Sequence, residues 1–228
     1  MTQTAYAHAV PVVRLEVSER TAFISKVYLF FLLSLLSAAC GVMLGLTPVV
    51  LQIVAKHYFL FCFAEIGLLY GAAGLMHKPG IKRIVLFGFA FLSGIVLGPL
   101  FYSLMAMAGG SPILIYKGLA LTGCIFGGLT VYVFVTKTDF SYLGSSLVVG
   151  LITLLVSTLL YFVFPSSTFD LLITGIGAAL FSGFVLYDTS RIMHHLSRDQ
   201  YIEGSLSLYI DFLNLFLIIS RWLGMGDE

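Results

Sequence analysis

Three carboxylic acids stand in stretches that otherwise suit hydrocarbon: Asp188 in FVLYDTSRI, Asp211 in SLSLYIDFLNLFLII and Glu65 in LFCFAEIGLL. An ionised side chain at the bilayer centre costs about 3 kcal/mol or more, so such residues turn inward, pair, or face water. Asp188 and Asp211 lie on consecutive segments, which suggests one shared site. If their carboxyl groups come within hydrogen-bond reach, like charge opposes joint ionisation, and the pair holds one proton near neutrality. Protonated, it closes a hydrogen bond. Deprotonated, it repels and offers oxygen ligands to a hard cation such as Ca²⁺, bound transiently. A purely structural alternative stands beside this: each aspartate caps a helix or binds a neighbouring hydroxyl, such as that of Thr189 or Ser207.

Spacing supports a polar stripe on the last segment. Ser207, Asp211, Asn214 and Arg221 are four, three and seven residues apart, which sets them on one helical face interrupted by Ile218. That stripe should turn inward, placing the last helix against most of a bundle. Asp211 lies about six residues into its segment, roughly 9 Å along the axis at about 1.5 Å per residue. Asp188 sits about one turn before the preceding segment ends on the same side, so the two can share a depth. Glu65, near mid-membrane, could receive a cation from the pair, or bond to an inward tyrosine or serine. His194 and His195 are close enough in sequence to modulate Asp188, or are interfacial residues only.

Composition demands helices that cross a membrane. The 228 residues are 59% hydrophobic and 10% charged, with a mean hydropathy of +1.03. With about 20 residues per crossing, there is room for roughly seven spans and no separate soluble domain. A net charge of +1 with dispersed basic residues excludes nucleic acid as a partner. Cys40, Cys62 and Cys124 all fall within spans and lack metal or disulfide spacing. No nucleophile arrangement, phosphate loop or intramembrane protease motif is present, so no enzyme is expected.

The expected organisation is a polar N-terminal tail over 1–25 and a seven-helix transmembrane domain over 26–228. The predicted spans are about 26–46, 51–75, 84–107, 113–135, 142–164, 169–192 and 205–223. The first is read as a retained helix rather than a signal peptide, and LSAAC over 36–40 is a poor lipoprotein box because Ser37 precedes the cysteine by three. Arg14, Arg20, Lys26, Lys78, Lys82, Arg83, Lys137, Arg191 and Arg198 fall on the side of the tail, against Lys56, Lys117 and Arg221 on the other. Nine against three predicts a cytoplasmic N-terminus. Glycines four apart, as in Gly41 with Gly45 and Gly94 with Gly98, predict close helix packing within one bundle, with a dimer face as the alternative. No internal repeat is evident.

Four pieces resemble the transmembrane Bax-inhibitor-motif family in its bacterial branch: GFAFLSGIVLGPL (88–100), TDFSYLG (138–144), LYDTSRI (186–192) and SLSLYIDFLNLFL (205–217). The resemblance implies an all-α, seven-helix bundle with the last helix enclosed by six others. It also implies a pH-sensitive calcium leak gated by Asp188 and Asp211, with Glu65 as the family's acid of the second span. Leak members place arginines at the end of that span to latch an aspartate, where this chain has Met76, His77 and Lys78. Gating would then rely on His77 or Lys78, or on no basic partner. Another branch resembles modulators of the membrane AAA protease FtsH, whose cytoplasmic tail the protease engages. Residues 1–25 would suit that role.

Overall fold

The computed structural model describes residues 11–12, 16–73 and 79–225. Among them are nine α-helices: α1 (Val17–Gly45), α2 (Pro48–Lys56), α3 (Tyr58–Ala73), α4 (Pro79–Val96), α5 (Gly98–Met107), α6 (Ile113–Thr136), α7 (Gly144–Val163), α8 (Ser167–His194) and α9 (Tyr201–Met225). Six segments are long and apolar enough to cross a membrane, with α4 and α5 forming one of them. The fold is all-α and accords with a seven-helix bundle once α2 and α3 are taken as the remaining span.

That span differs from the continuous helix expected over 51–75, because α2 and α3 meet at 86°. The break falls at His57, whose φ of −119° and ψ of 32° leave the helical region. Pro48 starts α2, where a missing N–H costs nothing, but no proline or glycine marks its end. Hydropathy therefore runs straight through a bend that the backbone does not. With its 16 residues, α3 is about 24 Å long, shorter than a typical hydrocarbon core. The first helix also begins earlier than expected, at Val17.

The last helix is the core of the molecule. Within its most apolar window 56% of the residues are buried, against 11% for α7. It packs on α1, α4, α5, α6 and α8, while α7 leans on α8 and α3 on α4. The inner shell around α9 is thus narrower than a ring of all six other spans. Its buried face joins Leu208, Tyr209, Leu215 and Ile219 to Val27 and Phe31 of α1 and Leu86 and Phe89 of α4. Outward-facing Phe59, Val149, Leu159 and Phe162 are more than 60% exposed, a surface suited to acyl chains rather than water.

The close seam between α1 and the α4–α5 span needs glycine. A Cβ on Gly41 would sit 2.1 Å from the carbonyl oxygen of Phe91, and one on Gly94 2.1 Å from that of Ala38. These pairs hold the bundle together, as their spacing predicted. Gly67, Gly123, Gly127 and Gly175 face nothing within 4 Å, so small-residue spacing marks a packing seam in some helices only.

Candidate functional site

The end of α8 and the first half of α9 run side by side, and each contributes one aspartate to the space between them. Asp188 and Asp211 are both buried, 8% and 4% exposed. They line a cavity of about 200 Å³ together with Ser207 and Asn214. Its walls are the apolar side chains of Leu151, Phe181, Phe184 and Ile210. The four polar residues expected to converge are therefore together. Arg221, the fourth member of the predicted stripe, is elsewhere: it pairs with Asp170 in the first turn of α8, beside the ring of Tyr161.

Two features of the pair set its chemistry. Asp211 Oδ2 is buried and has no donor among the described residues. Asp188 Oδ1 lies 3.5 Å from Arg191 Nη1, one turn away on α8. Sequence reading counted Arg191 only as a charge that orients the chain, although its i+3 spacing from Asp188 in LYDTSRI was visible. His77 and Lys78 lie outside the described residues. Arg191 is the basic residue seen on the pair.

An unpartnered buried carboxylate oxygen is costly unless a proton or cation reaches it. The donor set here is two carboxylates, a hydroxyl and an amide, all hard oxygen ligands suited to Ca²⁺. It falls short of the six to eight oxygens that ion takes, so waters would have to complete a shell. Among the described residues, no group of three or more His, Cys, Asp or Glu could hold a metal ion. A second cavity of about 330 Å³, between α1, α5, α6 and α9, is almost wholly apolar and has Tyr209 as its one titratable lining residue.

Glu65 does not join this site. It sits on α3, half-buried, and its Oε1 has no partner among the described residues. Tyr209 on α9 turns toward α4, 2.7 Å from Ser93 Oγ and 3.3 Å from the Ala90 carbonyl. Neither Tyr209 nor Ser93 is bonded to Glu65.

The two histidines are not on Asp188 either. His195 Nε2 is 2.9 Å from Asp139 Oδ2, and His194 Nδ1 is 2.9 Å from the Ser190 carbonyl. Asp139 also accepts from the Ser141 N–H at 2.9 Å and the Ser190 hydroxyl at 3.2 Å, and that hydroxyl oxygen accepts the Phe140 N–H at 2.8 Å. This network explains TDFSYLG: it pins the α6–α7 turn to the end of α8, next to the residue that follows Asp188 and Thr189. Desolvation pushes the Asp139 carboxyl up, but hydrogen bonds from Ser141 together with the hydrogen bond and charge of the His195 ring outweigh it and bring it down to about 2.

Helices of this length and apolarity define a multi-pass helical membrane protein, and an acid pair is buried between two of them. The family profile "Inhibitor of apoptosis-promoting Bax1" matches residues 20–228. Similar proteins include one from Helicobacter pylori, 36% identical over 92% of this chain and 90% of its own length. A membrane protein of Vibrio cholerae is 34% identical over 92% and 94%, and "Bax inhibitor 1" of Schizosaccharomyces pombe is 34% identical over 96% and 82%. The chain belongs to the Bax inhibitor family.

Proposed function

We propose that this protein is a pH-sensitive calcium leak of the bacterial inner membrane, gated by Asp188 and Asp211 and serving ion homeostasis or stress resistance. The observation that carries the reading is the cavity that Asp188 and Asp211, both buried, line together. With one proton between them, the groups bond and the α8–α9 contact stays closed. Loss of that proton leaves two charges that repel and that only a cation or entering water can compensate. Ser207 and Asn214 would share the ion, and Arg191, rather than a span-two arginine, would be the cation that biases Asp188. Glu65, with its unpartnered oxygen, would be the next acceptor along the path. The cycle moves a proton and an ion and changes no covalent bond of a substrate, so the proposed role is not enzymatic. The N-terminus is proposed to be cytoplasmic, which puts the aspartate pair near the inner end of the path.

Modulation of FtsH is less well supported by the geometry. A protease needs a tail it can pull, and here Val12 is fully buried with its N–H on the Leu196 carbonyl at 2.8 Å. Any engagement would have to begin nearer the start of the chain.

Calcium entry into proteoliposomes tests the leak. Flux that rises from acid to mildly alkaline pH and is abolished or made pH-independent by Asp211→Asn supports it. Absence of flux from folded protein refutes it.

A further inference from the structure

On the side where α1, α4 and α9 begin, three side chains meet in a way that helix packing does not require. Tyr201, buried at the start of α9, accepts two hydrogen bonds at its hydroxyl, from Arg83 Nε at 3.2 Å and Arg83 Nη2 at 3.1 Å. Lys26 of α1 places its ammonium 3.6 Å from the centre of the same ring. Phe30 stands edge-on to that ring at 5.2 Å and lies under the Arg83 guanidinium at 5.8 Å. Two cations are thereby held against aromatic faces rather than left to wave in water.

Of the nearby carboxylates, Glu203 meets Lys82 through Oε1 at 2.6 Å while its Oε2 has no partner among the described residues, and Glu19 pairs with Arg198. Among the described residues, neither Lys26 nor Arg83 has a carboxylate within ion-pair distance. Arg83 directs two of its five N–H groups at one neutral oxygen and makes no other hydrogen bond among the described residues, where the ammonium of Lys26 meets only the ring. A planar fork beside an ammonium is the donor arrangement that a phosphate monoanion accepts.

Depth selects the source of that phosphate. Next to the cations are Leu29, 53% exposed, and Ile84, 73% exposed, apolar side chains in position to meet acyl chains. Charges at the edge of such a surface stand where lipid headgroups stand. We propose that Lys26, Arg83 and Tyr201 form a binding site for the phosphate of an anionic phospholipid, whose chains lie along α1 and α4. Tyr201 is the positioning residue, since it fixes both cations and belongs to the central helix. A bound headgroup would tie α1 and α4 to the start of α9, ten residues before Asp211.

Native mass spectrometry of the detergent-solubilised full chain, with added dioleoylphosphatidylglycerol or dioleoylphosphatidylcholine, tests this. The wild type should retain phosphatidylglycerol in preference, and Lys26→Gln with Arg83→Gln should lower that retention about thirtyfold, the worth of two interfacial cations. Lys56→Gln, which removes one charge from an exposed residue of α2, should change nothing. If the double variant fails to fold, Lys26→Gln alone carries the test with a smaller loss, because that side chain makes no hydrogen bond among the described residues. Equal retention of the two lipids, or retention unchanged in the folded variant, overturns the proposal. So does displacement of phosphatidylglycerol by millimolar inorganic phosphate, which would make the site one for a soluble anion.

Discussion

Arg191 lies one helical turn beyond Asp188 with its Nη1 3.5 Å from Oδ1, at the outer limit of a hydrogen bond, and its side chain is 40% exposed. A contact this long, to a side chain this wet, can be made and lost without repacking α8. It biases the acid pair rather than locking it, because an exposed ion pair is weak.

Replacing Arg191 with Gln removes the cation that favours an ionised Asp188. The flux-against-pH curve should therefore move to higher pH with little change in its plateau. A calcium-sensitive dye inside proteoliposomes, read across a pH series, would reveal the displacement; a curve that stays in place would leave Arg191 with no part in gating.

Gly94→Ala pushes a methyl into the Ala38 carbonyl, and neither backbone can yield cheaply. A loss of about 1–3 kcal/mol is expected from such overpacking. Gly67→Ala, where nothing lies within 4 Å, should stay within about 0.5 kcal/mol of wild type. Thermal unfolding of the two variants in the same detergent separates them.

Asp139 gives a pH dependence unconnected with the intramembrane pair. Its folded-state value of about 2 is below the usual carboxylate range. Its contribution to stability is therefore complete above that range and is lost as pH falls through it toward about 2. Asp139→Asn should be less stable than wild type at pH 6 and should lose less on going to pH 3. Equal losses in both proteins would show that the network around Ser190 contributes nothing.

Val12 is fully buried against the α8–α9 connection. Val12→Ala should cost about 1–2 kcal/mol. It should also free the chain's start, so that FtsH degrades or co-purifies with the variant more readily if that protease is a partner. Deleting residues 2–18 should alter FtsH turnover or co-purification, and no change would leave the protein without that connection.

Much of this was legible from residue types. Hydropathy located the spans because lipid penalises unpaired backbone and charge so heavily that each crossing must be nearly pure apolar sequence. The same penalty made Asp188 and Asp211 conspicuous, and helical spacing brought Ser207 and Asn214 with them. What stayed hidden depended on tertiary contact. The bend at His57 carries no proline or glycine. His195 meets Asp139 across 56 residues of sequence, and no local pattern announces that. Arg191 was in plain view at i+3, but a basic residue at a helix end reads equally well as an orienting charge, and only the position of Asp188 on the inner face decides between them.

The central claim is that two acids on neighbouring helices share one proton and thereby control a cation path. The most direct measurement is calcium flux through purified, reconstituted protein between pH 6 and pH 8, for wild type, Asp188→Asn and Asp211→Asn, each first shown by thermal unfolding to be folded. The wild type should conduct more at the higher pH, and both folded variants should lose that dependence. Flux in the variants that follows pH as the wild type does would contradict the account.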